Sequence, residues 1–219
     1  VSTRLVGALI MTHSDDKGLV LPPNLAPIQV VLIPIFNSEE EFKSVSDKIK
    51  YVGKKLKSKN ITIKIDDRKN YKPGWKFSEY ELKGIPIRIV LGPKDLENNT
   101  VEVARRDELS KEIIDINQVD TIVPKLLEEI QINLFDKAKD FREENTYHVK
   151  DYNEFKETIK NKGGFIYAHW DGSKETENLI KKETKATIRC IPMDYDINPG
   201  ECIVTGKKSK GLVVFGKAY

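Results

Sequence analysis

The segment between positions 66 and 95 contains charged and aromatic side chains that could bind a planar, polar ligand. They are Phe77, Glu81, Arg88, Lys94 and Asp95. An arginine or a lysine can donate hydrogen bonds to the acceptor atoms of such a ligand, a carboxylate can accept from its N–H groups, and an adjacent aromatic ring could stack on it. On spacing alone, however, a surface ion pair between Glu81 and Arg88, and a core position for Phe77 and Trp75, are the commoner arrangements.

A second group of polar side chains lies near the start of the chain. His13, Asp15 and Asp16 fall within four residues, and a histidine with two carboxylates could bind a divalent cation or move a proton. The alternative is a capped turn that leads through Pro22 and Pro23 into the next module. We expect the turn.

The hydrophobic pattern from residue 29 onward predicts an α/β module that would position the first group. Residues 29–36 form an almost continuous apolar run, typical of a strand buried on both faces. Ser38 is a suitable N-cap for a helix whose apolar positions, from Phe42 to Leu56, recur every three or four residues. Alternating isoleucines at 61–65 then predict a second strand, parallel to the first.

The remaining pattern predicts further helices and strands in two groups. The first group has a helix at 75–83, strands at 85–89 and 100–104, and a long helix with an apolar stripe at Leu126, Leu127, Ile130, Leu134, Ala138 and Phe141. Pro124 is expected in the first turn of that helix, where its missing N–H costs nothing. From residue 146 a second, smaller α/β unit is predicted, with helices at 151–161 and 174–183 and strands at 165–168, 187–191 and 212–215.

Composition limits the class of protein. The 37 basic and 34 acidic residues give a net charge of +3, which permits a local basic face for a polyanion. No apolar run approaches the ~20 residues of a membrane span, and the N-terminus does not have the order of a signal peptide. Cys190 and Cys202 are too few for a secreted disulfide framework. We therefore expect a soluble, cytoplasmic protein with reduced thiols.

The start of the chain carries a longer signature. It joins Ser2-Thr3-Arg4, Gly7-Ala8 and His13-Ser14-Asp15-Asp16-Lys17-Gly18 to Leu19-Val20-Leu21-Pro22-Pro23. This string resembles motif 3 of class II prolyl-tRNA synthetases, which supplies an arginine to the phosphates of ATP. The resemblance implies that Arg4 is that catalytic residue and that Ser2 and Thr3 lie beside the nucleotide. Because the chain begins inside this motif, we expect it to be the C-terminal part of a larger enzyme. We expect this part to be inactive in proline activation by itself.

The central segment extends this resemblance. It contains Asp66-Asp67-Arg68, Lys72-Pro73-Gly74-Trp75-Lys76-Phe77, Glu81-Leu82-Lys83-Gly84-Ile85-Pro86 and Leu91-Gly92-Pro93-Lys94-Asp95. The order is similar to the anticodon-binding domain of the same enzymes. It implies that Glu81 and Arg88 recognise one anticodon guanine, that Lys94 and Asp95 recognise the next, and that Phe77 provides a stacking surface. Trp75 is still expected in the core.

The last seventy residues resemble the extra C-terminal domain of the archaeal and eukaryotic-like class of prolyl-tRNA synthetases. Many members bind zinc there with two pairs of cysteines, but the four corresponding positions read Asp171, Thr176, Cys202 and Thr205. One cysteine and two threonines cannot form a tetrahedral thiolate site, so we expect no zinc. Cys190 is expected to be a buried core thiol. By resemblance, the C-terminal Tyr219 packs back toward the catalytic domain.

Together these expectations describe a mixed-sheet anticodon-binding domain and a small α/β C-terminal domain, preceded by a remnant of a class II catalytic domain. The predicted boundaries are 1–26, 27–145 and 146–219. The resemblance implies ATP-dependent activation of proline, with Mg²⁺, its attachment to tRNA(Pro), and a homodimer formed through the upstream catalytic domain. Two alternatives stay open: a non-catalytic RNA-binding module related to this domain, and a threonyl, histidyl or glycyl synthetase.

Overall fold

The computed structural model describes residues 2–193 and 199–217. The chain divides into two compact units, Val1–Ala138 and Lys139–Tyr219, and is of the mixed α/β class that the sequence predicts. No helix in the described part of the chain is long and apolar enough to cross a membrane. The expectation for Tyr219 lies outside the described residues.

The first unit is a mixed five-stranded sheet with helices on both faces. Its elements are α1 (Arg4–His13), β1 (Val30–Pro34), α2 (Glu39–Ser58), β2 (Ile63–Ile65), α3 (Pro73–Leu82), β3 (Ile87–Leu91), α4 (Pro93–Asn98), β4 (Thr100–Arg105), β5 (Lys111–Asp115) and, after a 3-10 turn, α5 (Val119–Glu144). The strand order is β2-β1-β3-β4-β5. β1 is parallel to β2 and β3, whereas β4 is antiparallel to β3 and β5. The predictions of an interior first strand and a parallel second strand are confirmed.

Successive residues of β1 belong to two different cores because side chains alternate across a strand. Val30 and Leu32 pack with apolar residues of α2 and α5. Val31 and Ile33 pack on the opposite face with Tyr80 of α3. The predicted N-cap of α2 is confirmed, since the Ser38 side chain accepts a hydrogen bond from the Glu41 amide. α3 therefore packs on the sheet face opposite α2 and α5, where Val90 of β3 also belongs to the core.

Three sequence predictions for this unit are wrong. Pro124 is an interior residue of α5, because the five residues before it are already helical. Burial along α5 ends at Leu134, and Phe141 is exposed. A strand, β5, forms between β4 and α5, where the sequence pattern predicts none, and only Ile114 of its five residues is buried. Such an edge strand lacks the apolar alternation by which strands are recognised.

The second unit contains a four-stranded sheet covered on one face by two helices. Its elements are β6 (Thr146–His148), α6 (Tyr152–Asn161), β7 (Phe165–His169), α7 (Lys174–Thr184), β8 (Ala186–Cys190), β9 (Gly200–Glu201), β10 (Lys208–Ser209) and β11 (Leu212–Lys217). The order in the larger sheet is β6-β7-β11-β8, and β9 pairs with β10. Phe155, Ile166 and Phe215 lie in its core. The predicted helices and strands are confirmed, whereas β6, β9 and β10 were not anticipated.

Candidate nucleic-acid interface

The structure brings Phe77, Glu81 and Arg88 together between α3 and β3. Phe77 and Glu81 are four residues apart on one face of α3. Arg88, the second residue of β3, lies on the strand face opposite Ile87 and Ile89. Its Nη1 atom donates to Glu81 Oε1 at 3.0 Å, and its guanidinium carbon lies 4.0 Å from the centre of the Phe77 ring. These three predicted residues form one cluster.

This cluster has unused hydrogen-bonding capacity. The Arg88 side chain is only 7% exposed, and its Nε atom has no hydrogen-bond partner among the described residues. Glu81 keeps a third of its side chain exposed. Buried donors in folded proteins are nearly always satisfied. The accessible carboxylate of Glu81 is suited to a ligand with N–H donors, whereas the unpartnered Nε atom of Arg88 is itself buried.

Glu81 and Arg88 also line a cavity of about 170 Å³. The other charged residues of its wall are all basic, namely Lys17, Arg105, Arg106 and Lys111. Some of this charge is compensated, as Arg105 binds Asp107 at 2.9 Å and Lys111 binds Glu102 at 3.4 Å. Arg106 is paired with Asp15 at 2.6 Å and Arg88 with Glu81 at 3.0 Å, so most of the positive charge of the lining is compensated.

Lys94 and Asp95 lie beyond the other end of β3, on the short helix α4. Asp95 Oδ2 accepts a hydrogen bond of 2.8 Å from the Gly92 amide and so caps that helix. Lys94 is exposed. Within residues 2–193 and 199–217, no hydrogen bond or ion pair joins this pair to Glu81 or Arg88. The structure thus separates the predicted residues into two groups, of which the second has one carboxylate oxygen already engaged.

Arg106, which sequence reasoning missed, connects the start of the chain to α3. This buried side chain donates from Nη1 to Asp15 Oδ2 at 2.7 Å and from Nη2 to Asp15 Oδ1 at 2.6 Å. Its Nε atom donates to the Glu81 carbonyl oxygen at 2.9 Å. The amides of Leu19 and Leu21 add hydrogen bonds to the carbonyl oxygens of Leu82 and Gly84. No local sequence signal could have indicated a pair separated by 91 residues.

The turn predicted around Asp15 is confirmed, because Asp15 and Gly18 exchange backbone hydrogen bonds. Asp15 also accepts from the Lys17 amide at 2.9 Å. Hydrogen bonds from Arg106 lower the pKa of Asp15 to about 2. Asp15 therefore serves as the counter-ion of a buried arginine.

Ser2, Thr3 and Arg4 lie at the start of α1, a helix without buried residues. All three side chains are exposed. The Ser2 hydroxyl accepts a weak hydrogen bond of 3.4 Å from the Arg4 amide. Their assignment to ATP stays a prediction.

Two of the four positions that the resemblance matches to zinc ligands, Thr176 and Thr205, donate hydrogen bonds to a third, Asp171. Asp171 Oδ2 accepts from the Thr176 hydroxyl at 3.0 Å and from the Thr205 hydroxyl at 2.9 Å, while Oδ1 accepts from the Ser173 hydroxyl at 2.8 Å. Burial raises the pKa of Asp171, but these hydrogen bonds outweigh it and lower the pKa to about 2. Cys202 is buried. In the described residues no three histidine, cysteine or acidic side chains are placed to bind a metal ion.

Two expectations about buried side chains are wrong. Cys190 is exposed near the end of β8, beside a sheet face that α6 and α7 leave uncovered. Trp75 is 47% exposed. It lies on the outer face of α3, because Lys76 and Tyr80 occupy the buried face of that helix.

Comparison with known proteins identifies two matched regions. Residues 29–126 match a family described as an anticodon binding domain, and residues 152–219 match one described as the C-terminal domain of prolyl-tRNA synthetase. The whole chain is 59% identical to a protein named proline–tRNA ligase from Parabacteroides distasonis, and 57% identical to one from Porphyromonas gingivalis, covering 44% of each relative. A proline–tRNA ligase from Amoebophilus asiaticus is 55% identical and is covered over 45% of its length. The chain therefore spans less than half the length of these relatives.

Proposed function

We propose that the chain is the tRNA-recognising part of a proline–tRNA ligase, because its residues 29–126 match an anticodon binding domain and its residues 152–219 match the C-terminal domain of prolyl-tRNA synthetase. The whole enzyme would activate proline with ATP and Mg²⁺, transfer the prolyl group to tRNA(Pro), and act in the cytoplasm as a homodimer. The similarity over all 219 residues to proteins of that name supports this assignment. Within it, the proposed domains are 1–26, 27–145 and 146–219.

The Glu81–Arg88 pair with Phe77 carries the proposal for anticodon recognition. A guanine would receive hydrogen bonds from Arg88 at O6 or N7 and would donate from N1 and N2 to Glu81. The ion pair of 3.0 Å fixes both side chains before the base arrives, so little side-chain entropy is lost on binding. Phe77, which is partly buried beside them, would provide the ring on which the base stacks.

Lys94 and Asp95 are proposed to recognise the neighbouring guanine. Asp95 Oδ2 is engaged with the Gly92 amide, which orients the carboxylate and leaves Oδ1 to accept from a base. Lys94 would contribute a donor and positive charge. Arg4 is proposed to contact the ATP phosphates, with Ser2 and Thr3 beside the nucleotide, because a guanidinium can stabilise charge that develops on a phosphoryl group.

The proposal is tested by measuring binding of the 219-residue chain to tRNA(Pro) and to the same tRNA with either anticodon guanine replaced, at fixed moderate salt. Each replacement should cost ~1–3 kcal/mol. Glu81→Gln should remove discrimination at the guanine assigned to Glu81 and Arg88 and leave discrimination at the neighbouring guanine unchanged. Lys94→Ala should reduce discrimination at that neighbouring guanine. Equal binding of the three RNAs by the unmodified chain would contradict base recognition by these residues.

A further inference from the structure

Tyr71 and Trp75 form an exposed aromatic pair at the start of α3. Their ring centres are 4.1 Å apart and the rings are inclined by 18°, so they are stacked. Tyr71 remains 41% exposed and Trp75 47% exposed. Large aromatic side chains usually bury most of their surface. This pair instead presents apolar area to solvent on the helix that also carries Phe77 and Glu81.

Arg68 supplies a fixed positive charge beside these rings. Its guanidinium carbon lies 4.7 Å from the centre of Tyr71 and 5.3 Å from that of Trp75. Asp66 orients it through two hydrogen bonds of 2.8 and 2.7 Å, and Glu79 accepts a third. Asp66 is buried. Arg68 is thus held in place by partners on the protein and adds cation–π character to the pair.

The chemistry of this surface suits an unpaired nucleobase. A base can stack on an aromatic ring whatever its identity, and an arginine and nearby lysines attract the phosphates that accompany it. Lys72, which precedes α3, and Lys69 are exposed, and Lys69 is paired with Glu39. Because Arg68 is also paired, with Asp66 and Glu79, the surface is aromatic and its cations are largely compensated.

The position of the pair relates it to the proposed anticodon site. Trp75 and Glu81 are six residues apart on α3, which is about 9 Å along the helix axis and about 120° around it. Stacked bases of one strand are separated by about 3.4 Å. About three stacked nucleotides therefore span the axial separation alone, and a strand bound at Glu81 needs further length to pass around the helix to Trp75.

We propose that Tyr71 and Trp75, supported by Arg68, form a second stacking surface that binds an unpaired base of the tRNA anticodon loop other than the two guanines. The inference rests on the proposed function. In this proposal, Tyr71 and Trp75 contribute to the affinity for the RNA, whereas Glu81 and Arg88 determine which base is bound.

The test uses the 219-residue chain and an RNA stem-loop with the proline anticodon, in which each loop nucleotide is replaced in turn by an abasic one. Trp75→Ala should weaken binding roughly 5- to 150-fold, the effect of losing one base–aromatic stack, and Trp75→Phe should retain most of the affinity. One abasic position should cause a similar loss, and combining it with Trp75→Ala should add little, because both remove the same contact. Tyr51→Ala, which removes another exposed aromatic, should leave binding unchanged.

The outcomes separate this inference from the function on which it rests. If Trp75→Ala and Tyr71→Ala bind like the unmodified chain while Glu81→Gln still loses guanine discrimination, the stacking surface is refuted and anticodon recognition stands. If the RNA binds without base discrimination and all variants bind equally, both proposals fail. If Trp75→Ala alters self-association measured by ultracentrifugation but not RNA binding, the surface contacts protein and the inference is wrong.

Discussion

Arg106 and Asp15 form a two-hydrogen-bond ion pair between a buried guanidinium and a partly exposed carboxylate, with N–O distances of 2.7 and 2.6 Å. The Arg106 side chain is 2% exposed, whereas that of Asp15 is 42% exposed. Removing a counter-ion from a buried charge is costly because the remaining charge keeps its desolvation penalty. The pair therefore stabilises the attachment of residues 15–21 to the end of α3.

Asp15→Asn should lower the free energy of unfolding by about 1–3 kcal/mol, because it removes the charge that Arg106 requires and one acceptor. The exposure of Asp15 keeps the effect below that of a fully buried pair. Urea denaturation of the variant measures the change. Asp16→Asn, at an adjacent exposed position, should alter stability by less than about 0.5 kcal/mol. Equal effects of the two substitutions would mean that the ion pair does not contribute.

The stability of the chain should fall as pH decreases from about 4 to about 2. Asp15, Asp66 and Asp171 have a pKa of about 2 in the folded chain, compared with ~3.9 in an unfolded chain. Because the folded state binds fewer protons, their stabilising effect is complete above pH 4 and is lost as pH falls through 2. Urea midpoints at pH 5 and pH 2.5 should therefore differ less in Asp15→Asn than in the unmodified chain.

Two adjacent glycines should respond very differently to substitution by alanine. Gly163 and Gly164 both have positive φ, at +73° and +76°, but a Cβ on Gly164 would lie 2.2 Å from the Asn145 carbonyl oxygen, whereas one on Gly163 would meet nothing within 4 Å. Gly163→Ala should cost about 1 kcal/mol through backbone strain alone. Gly164→Ala should cost about 3 kcal/mol or more, since the backbone at Asn145 must also move. Thermal unfolding of both variants checks this, and similar losses would disprove the close approach.

The two cysteines should differ in reactivity. Cys190 is exposed and Cys202 is buried, and a thiol must reach solvent to react. Under native conditions, alkylation followed by mass spectrometry should label Cys190 rapidly and Cys202 only after unfolding. Cys190→Ser should abolish the rapid phase. Rapid labelling of Cys202 in that variant would contradict its buried position.

Asp171→Ala should destabilise the second unit by about 2 kcal/mol, because the hydroxyls of Ser173, Thr176 and Thr205 lose their common acceptor. Thr176 is buried, so its hydroxyl could not turn to water. Thr205→Val removes one exposed donor and should cost less than about 1 kcal/mol. Chemical denaturation measured in excess chelator excludes any contribution from metal. An Asp171→Ala variant as stable as the unmodified chain would show that the cluster is dispensable.

Sequence patterns predicted those features that depend on local periodicity or on long family signatures. The interior strand β1 and the cap at Ser38 follow from apolar runs and helix-terminus chemistry, and the clustering of Glu81 with Arg88 follows from the signature. Features set by distant parts of the chain were not predictable. Trp75 is exposed because Lys76 and Tyr80 occupy the inner face of α3, and Cys190 is exposed because its sheet face is uncovered.

Tertiary contacts also override local preferences at other positions. Pro124 lies inside α5 because the preceding turn extends the helix toward the N-terminus, and β5 forms because β4 provides backbone partners for a mostly polar strand. The Arg106–Asp15 pair joins residues that are 91 positions apart in the sequence, so no local pattern predicts it.

The carbonyl oxygen of Glu81 accepts from Arg106, whereas its carboxylate pairs with Arg88. The main chain at this position is consequently anchored by one arginine and the side chain engaged by another, so the two roles can be altered separately. For protein engineering, the side chain at position 81 can be replaced without removing the backbone hydrogen bond from Arg106. A different side chain there could complement another base while the scaffold beneath it keeps its attachment to the first segment of the chain.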